Sequence, residues 1–170
     1  IKRKINFLES QLREVKERRS VLRKERQKKE IPTVAVVGYT NAGKSTLVNA
    51  LCNSEVLAED KLFATLDTSV RRLVTPENRD FLLIDTVGFI KKLPHDLVEA
   101  FKSTLEETVY ADLLLHVVDC SNPDYEACID TVESILKEIG AENRPRYLVL
   151  NKIDRAPEGI YPSPRIVQGY

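Results

Sequence analysis

Eight residues that follow the first apolar run have the spacing of a phosphate-binding loop. Residues 38–45 read GYTNAGKS, which fits the pattern G-x-x-x-x-G-K-S between a predicted strand and a predicted helix. The glycines permit backbone angles that point successive N–H groups at phosphate oxygens, and the helix start adds partial positive charge. We expect Lys44 to reach the β- and γ-phosphates and the Ser45 hydroxyl to bind Mg²⁺. By itself, this loop predicts that phosphate binds, but it does not identify the nucleotide.

A second motif, D-x-x-G, follows the apolar run 81–84. It consists of Asp85, Thr86, Val87 and Gly88. An acidic residue at this point can hold the Mg²⁺ shell through water, and the Gly88 N–H can sense a γ-phosphate. The motif is weak alone, but its position after a strand and downstream of the phosphate loop makes it more specific.

A third motif, N-K-x-D, follows the apolar run 146–150. It consists of Asn151, Lys152, Ile153 and Asp154. A carboxylate at the edge of a guanine ring pairs with the ring N–H and the exocyclic amine. Adenine lacks this pair of donors and would leave Asp154 buried and unsatisfied, at a cost of a few kcal/mol. The third motif therefore predicts a guanine nucleotide.

The segment between the first two motifs should supply a hydroxyl for a second Mg²⁺ position. Thr65 and Thr68 are the candidates, and spacing alone does not choose between them.

The elements around these motifs alternate between strand and helix. We predict strands at 33–37, 70–74, 81–84, 113–118 and 146–150, with a turn at 76–80, and helices at 44–53, 96–110 and 125–139, the last ending at Gly140. Continuous apolar strands between helices indicate an α/β fold with a mostly parallel sheet flanked by helices. Sites in such sheets lie at the carboxyl ends of the strands, where all three motifs occur.

Residues 1–30 differ from the rest of the chain in charge. They hold twelve Lys and Arg against five Glu, a net charge of +7, whereas residues 31–170 carry −7. Apolar residues at alternating spacings of four and three predict a long amphipathic helix that ends before Pro32. The chain therefore divides into a basic helical arm, 1–30, and a domain, 31–170. The arm either contacts RNA or presents a solvated face around a seam that packs against protein.

Bulk composition narrows the class of protein. With 170 residues and 42% hydrophobic residues the chain can bury a core, and no apolar run approaches the roughly 20 residues that span a bilayer. Three cysteines without paired spacing argue against a disulfide framework or a zinc site and suggest a reducing compartment. Because the chain begins at Ile1 and contains no Met, we expect a fragment or a processed product.

Several segments together closely resemble the HflX family of translational GTPases, in the Obg–HflX branch. They are GYTNAGKS at 38–45, LFATLD at 62–67, DTVGF at 85–89, LPHDLV at 93–98, TLEET at 104–108 and ADLLLHVVD at 111–119. The resemblance covers about residues 1–155, and LFATLD and DTVGF–LPHDLV are much more specific than the phosphate loop. It implies a P-loop GTPase domain that is preceded by the end of a helical linker domain.

The resemblance also implies roles for individual residues. It favours Thr65 over Thr68 as the Mg²⁺ ligand, beside Ser45 and, through water, Asp85, and it makes Lys44, Thr65 and Gly88 the expected catalytic set. The full set expected to bind GTP or GDP is Gly38, Tyr39, Thr40, Asn41, Ala42, Gly43, Lys44, Ser45, Thr46, Phe63, Ala64, Thr65, Leu66, Asp67, Asp85, Thr86, Val87, Gly88, Asn151, Lys152, Ile153 and Asp154.

Members of the HflX family act on the large (50S) ribosomal subunit and split stalled or stress-arrested ribosomes. The resemblance therefore implies a cytoplasmic or organellar GTPase with rRNA and ribosomal proteins as partners. We expect no DNA partner, no membrane span and a monomer. Two alternatives stay open: a binding module that senses the nucleotide state and barely hydrolyses it, and an NTPase that accepts any purine.

Phe89 bears on the rate of hydrolysis. Ras-like GTPases carry at this position a Gln that orients the attacking water, and Phe cannot make that hydrogen bond. Another protein residue, a potassium ion or ribosomal RNA would then position the water. We therefore predict slow intrinsic turnover that the ribosome stimulates.

The end of the chain departs from the family pattern. Ser163 lies only nine positions after Asp154 and precedes Pro164 rather than Ala, so we assign Ser163 no base contact. Residues 160–163 could form a last short strand, and we expect the domain to be incomplete at its C-terminal end. Among the other polar residues, we expect His95 in a loop, His116 in the core or at a sheet edge, and Arg71 and Arg72 facing solvent or the ribosome.

Overall fold

A computed structural model of the chain describes residues 31–52, 69–89 and 107–157, together with Val21 and Leu105. The chain divides into two units, Ile1–Ile31 and Pro32–Tyr170. The predicted basic arm falls outside the described residues apart from Val21, which is helical. The described strands and all three motifs lie in the second unit.

Five strands in the described part of this unit form one sheet in the order β2-β3-β1-β4-β5. They are β1 Thr33–Gly38, β2 Ser69–Val74, β3 Asp80–Asp85, β4 Leu113–Asp119 and β5 Arg146–Asn151. Strand β2 runs antiparallel to β3, and every other pair is parallel. The predicted fold, a mostly parallel sheet flanked by helices, is confirmed, and each predicted strand in this region lies within one residue of an observed one.

The two faces of the sheet carry separate apolar clusters because side chains alternate along a strand. Ala35 and Val37 lie in one cluster, which also holds Leu114, Val132 and Leu136. The other cluster holds the neighbouring residue of β1 together with buried side chains of the following loop and helix and of strands β3 and β4: Val36, Ala42, Val48, Leu83 and Val117. The apolar strands are therefore covered on both sides, as continuous apolar runs predict.

Two helices with both ends among the described residues flank this sheet. Helix α1, Lys44–Cys52, begins where the phosphate-loop motif ends. Helix α2, Tyr125–Glu138, buries Ile129 and two further apolar residues one turn apart along its inner face. Gly140 ends it with φ +78°, a conformation that costs glycine little, so the predicted helix end is confirmed.

The hairpin β2–β3 closes one residue earlier than the sequence predicts. Thr75 N donates to Arg79 O at 2.8 Å, and Asp80, predicted to end the turn, already pairs with Val74 in the ladder. Arg72 is exposed and bonded to Asp80 across the hairpin, with Nε 3.0 Å from Oδ1.

His116 is buried in β4, 3.8 Å from a Glu133 carboxylate oxygen, so its predicted core position is confirmed. Burial lowers the pKa of this histidine.

Some predictions lie wholly or partly outside the described residues. The predicted helix 96–110 is helical at 105 and 107–110, and its other residues lie outside. Thr65, Thr68 and their neighbours Phe63, Ala64, Leu66 and Asp67 lie outside as well, as do His95 and Ser163. The described part contains no helix that is long and apolar enough to cross a membrane.

Candidate nucleotide site

The phosphate-loop motif forms a tight loop between β1 and α1. Three of its residues have positive φ: Gly38 at +152°, Asn41 at +59° and Gly43 at +95°. A Cβ on Gly38 would lie 2.3 Å from the Val117 carbonyl oxygen of the neighbouring strand, so a side chain there would break the β1–β4 pairing. Glycine is thus required at Gly38 because of its backbone conformation and because a side chain has no room there, and the positive φ of Gly43 likewise favours glycine.

Lys44 lies beneath the loop. Its Nζ donates to Gly38 O at 3.2 Å and to Tyr39 O at 3.0 Å, and the side chain is buried. Burial lowers the pKa of Lys44 to about 8, and the nearby Asp85 carboxylate opposes that shift. A buried ammonium beside a loop of backbone amides is suited to bind phosphate.

Ser45 and Asp85 meet at the start of α1 and the end of β3. The Ser45 hydroxyl donates to Asp85 Oδ2 at 2.7 Å, and Asp85 is buried. A hydroxyl and a carboxylate are hard oxygen donors, and Mg²⁺ typically takes one or two protein ligands and completes its shell with water and phosphate oxygens. These donors fit Mg²⁺, and the predicted third donor, Thr65, lies outside the described residues.

The second motif lies directly against the phosphate loop. Thr40 N donates to Phe89 O at 2.7 Å, and Phe89 N donates to Gly38 O at 3.1 Å. A Cβ on Gly88 would lie 2.8 Å from Thr40 Cα and 3.1 Å from Lys44 Nζ, so glycine allows this approach. The predicted proximity of Gly88 to the phosphate end of the loop is consistent with this contact.

The side chains around Gly88 face the protein interior. Thr86 Oγ1 donates to Val36 O at 2.6 Å and Val87 is buried, so both side chains hold the end of β3 against the sheet. Phe89 is 2% exposed and packs in the cluster with Ile84 and Leu105. Phe89 is therefore unsuited to orient a water molecule, because its side chain has no hydrogen-bonding group and points into the core.

The third motif ties the end of β5 to the phosphate loop. Asn151 Nδ2 donates to Ala42 O at 2.8 Å, and Lys152 Nζ donates to Asn41 O at 2.9 Å. A Cβ on Gly43 would lie 2.2 Å from Asn151 Nδ2, so this glycine also admits the tether. The two motifs, more than 100 residues apart in the chain, form one edge of the sheet.

Asp154 follows on a short 3₁₀ turn, Ile153–Arg155. Its side chain is 75% exposed, and its nearest cation is Arg155 at 3.7 Å. The sequence motif led us to expect a buried carboxylate. In the structure the Asp154 carboxylate is exposed to solvent. A base without the guanine donor pair would therefore leave this carboxylate unsatisfied only when the bound base shields it from water.

Comparison with known proteins agrees with this arrangement. Residues 33–152 match the family described as 50S ribosome-binding GTPase. The chain belongs to that family. The resemblance to HflX is also confirmed: GTPase HflX from Caldanaerobacter subterraneus subsp. tengcongensis is 57% identical over 91% of this chain, and that from Escherichia coli K12 is 48% identical over 91%.

The chain is also similar to a solved structure. A GTP-binding protein from the archaeon Sulfolobus solfataricus, solved in complex with GDP, shares 38% identity over 86% of this chain and 44% of its own, with a TM-score of 0.56. The chain spans about a third of the length (36%) of both HflX relatives.

Asp119 is a residue of this GTPase domain that the sequence analysis did not single out. It ends β4 in register with Asn151, and its carboxylate accepts hydrogen bonds from Ser121 N at 3.0 Å and Lys152 Nζ at 2.8 Å. Burial alone would raise the pKa of Asp119, but the hydrogen bonds from Lys152 and Ser121 outweigh it and hold the pKa below its usual value. Its place at the carboxyl end of a predicted strand is the signal that marks it.

Proposed function

We propose that this domain binds GTP and GDP and hydrolyses GTP at the edge formed by β1, β3 and β5. The observation that carries the proposal is the joining of three motifs by direct contacts. Ser45 bonds to Asp85, and Asn151 and Lys152 bond to the phosphate loop. Phosphate, metal and base groups of one nucleotide thus have candidate partners on one edge.

In this proposal the backbone amides of the loop and Lys44 bind the phosphates, and Asp154 accepts from the guanine edge. Ser45, Thr65 and, through water, Asp85 would hold Mg²⁺. When bound, Mg²⁺ neutralises charge on the phosphate oxygens and orients them. Lys44 and the Gly88 N–H would contact the γ-phosphate. Their closeness supports this role, because a Cβ added to Gly88 would lie only 3.1 Å from Lys44 Nζ.

Hydrolysis by the isolated domain should be slow. The water-orienting role that a Gln would supply is missing because Phe89 is packed in the core. Another protein residue, a potassium ion or ribosomal RNA would position the water, and we propose that the large ribosomal subunit supplies the acceleration. The family description, 50S ribosome-binding GTPase, supports this partner.

The wider biological role is inferred from the same relatives and from charge. We propose a monomeric cytoplasmic protein that acts on the 50S subunit in ribosome splitting or rescue under stress, with the basic segment 1–30 close to rRNA. The net charge of +7 on this segment supports contact with phosphate backbone.

Sedimentation with purified large subunits tests the partner. We expect the chain to pellet with 50S subunits in a non-hydrolysable GTP analogue and to stay in the supernatant in GDP, with binding that weakens as salt increases. Equal pelleting in both nucleotides would contradict a GTP-dependent role.

A binding module that senses nucleotide state is the second candidate, and the burial of Phe89 favours it. Single-turnover GTP hydrolysis, with and without 50S subunits, separates the two. Acceleration by the subunits supports the GTPase, and an unchanged, near-zero rate supports the module.

A further inference from the structure

We propose that Asp119 is a positioning residue of the guanine-nucleotide site, which sets how long the nucleotide stays bound by holding Lys152 against the phosphate loop. The inference rests on the proposed function, because it assumes that GDP occupies this edge. Asp119 itself would not touch the nucleotide. It would act through the lysine of the third motif.

Lys152 joins two parts of the site through one ammonium group. Its Nζ lies 2.8 Å from Asp119 Oδ2 and 2.9 Å from Asn41 O. Lys152 and Asp119 side chains are each 22% exposed, so the pair is largely shielded from solvent. Shielded charge pairs are screened less by salt and hold their geometry better than surface pairs.

The backbone at both ends of this bridge has an unusual conformation. Asn41 has φ +59° and Lys152 has φ +57°, left-handed values that asparagine tolerates and that are uncommon for lysine. The Lys152 ammonium group donates to the carbonyl oxygen of Asn41, so the bridge joins these two residues. The bridge therefore stabilises two local conformations at once.

Part of the phosphate loop borders a cavity, although Ala42 of the loop is packed in the core. A cavity of about 180 Å³ lies between the phosphate loop, the end of β4 and the start of α2, with Asn41 and Asp119 in its wall. A loop that borders open space lacks the close contacts that fix residues in a core. At Asn41 and Ala42 the loop is held by the bonds from Lys152 and Asn151, in addition to the bonds that Phe89 and Lys44 make to Gly38, Tyr39 and Thr40.

The base-binding side of the site also depends on Lys152. The 3₁₀ turn that carries Asp154 starts from Lys152, and Arg155 N donates to Lys152 O at 3.0 Å. A shift of Lys152 would move this turn relative to the loop. Loss of Asp119 should therefore weaken both phosphate binding and recognition of the guanine edge.

Asp119→Asn is the sharpest perturbation because it removes the charge and keeps the shape and the oxygen that Ser121 bonds. Asp124→Asn is the matched control: it removes the same charge from an exposed position before α2, where the side chain makes no capping hydrogen bond. Lys152→Met, alone and combined with Asp119→Asn, tests whether the effect passes through Lys152.

Stopped-flow dissociation of a fluorescent GDP derivative gives the residence time. We expect Asp119→Asn to release it about tenfold faster, the effect of one charge-assisted hydrogen bond, and Asp124→Asn to match the wild type. In the Lys152→Met background, Asp119→Asn should add less than about twofold, because coupled residues are not additive.

Inosine diphosphate (IDP), which lacks the exocyclic amine of guanine, provides a readout that general destabilisation would not move. We expect Asp119→Asn to reduce the preference for GDP over IDP, since the turn with Asp154 shifts.

Equal dissociation from wild type and Asp119→Asn would overturn the inference. So would a loss of affinity that leaves the GDP-to-IDP ratio unchanged, or full additivity with Lys152→Met. Failure of the wild-type chain to bind GDP would instead overturn the proposed function.

Discussion

Replacing Phe89 by Gln restores the residue type that orients water in Ras-like GTPases, yet the structure predicts no gain in catalysis. Phe89 N and O both bond to the backbone of the phosphate loop, at Gly38 and Thr40, and the Phe89 side chain packs in the core. These two bonds form an isolated bridge between Phe89 and Tyr39, which fixes the backbone of Phe89 and therefore the direction of its side chain. A Gln at this position would therefore face Ile84 and Leu105 and not a phosphate.

The cost of this substitution results from the same burial. A fully buried Phe contributes about 1.5–3 kcal/mol relative to an exposed one. An amide left in its place without a partner costs a further 1–3 kcal/mol or so, which brings the total to about 2.5–6 kcal/mol. Since a domain is stable by only about 5–15 kcal/mol, this is a large fraction. Phe89→Leu, which stays apolar, should cost about 1–2 kcal/mol.

Urea denaturation of the nucleotide-free protein measures both costs, and single-turnover GTP hydrolysis measures the rate. We expect the Gln variant to be much less stable than the Leu variant, and neither to hydrolyse GTP faster than wild type. A Gln variant that is as stable as wild type and hydrolyses GTP about tenfold faster or more would refute the role of burial.

Three further predictions concern stability and affinity. Gly38→Ala should abolish folding, because its Cβ would lie 2.3 Å from the Val117 oxygen; Gly140→Ala, at positive φ but with nothing within 4 Å, should cost only about 1–2 kcal/mol by thermal denaturation. His116 has a pKa lowered by burial, so the unfolded chain takes up its proton first; the free energy of unfolding should fall as pH drops below about 6.5, and less so in His116→Leu, as urea titrations at each pH would show. Asp154→Asn should weaken GDP binding by about tenfold or more in calorimetry without lowering the melting temperature of the free protein, because the side chain is 75% exposed; unchanged affinity would contradict its role.

The sequence predicts the strands and helices of the described region well because their signals are local. Apolar runs, the Gly140 helix end and the loop glycines each depend on a few neighbouring residues. The sequence also predicts that the three motifs lie at one edge of the sheet, because parallel strands bring their carboxyl ends together, and their contacts in the structure agree.

Contacts between side chains that are far apart in the chain cannot be predicted from the sequence alone. The bond from Lys152 to Asp119 requires β4 and β5 to pair in the register that sets Asp119 opposite Asn151, and no pattern in the chain gives that register. The burial of Phe89 and the exposure of Asp154 depend likewise on the folded surroundings. Thr65, which the family resemblance favours, stays a prediction.

Competition between nucleotides tests most directly whether the three joined motifs form a guanine site. A fluorescent GDP derivative bound to the chain is titrated with GTP and, separately, with ATP. We expect GTP to displace the probe at concentrations close to those of GDP, and ATP to leave it bound even in large excess, because Asp154 finds no donor pair on adenine. Displacement by ATP as efficient as that by GTP would contradict a guanine site at this edge of the sheet.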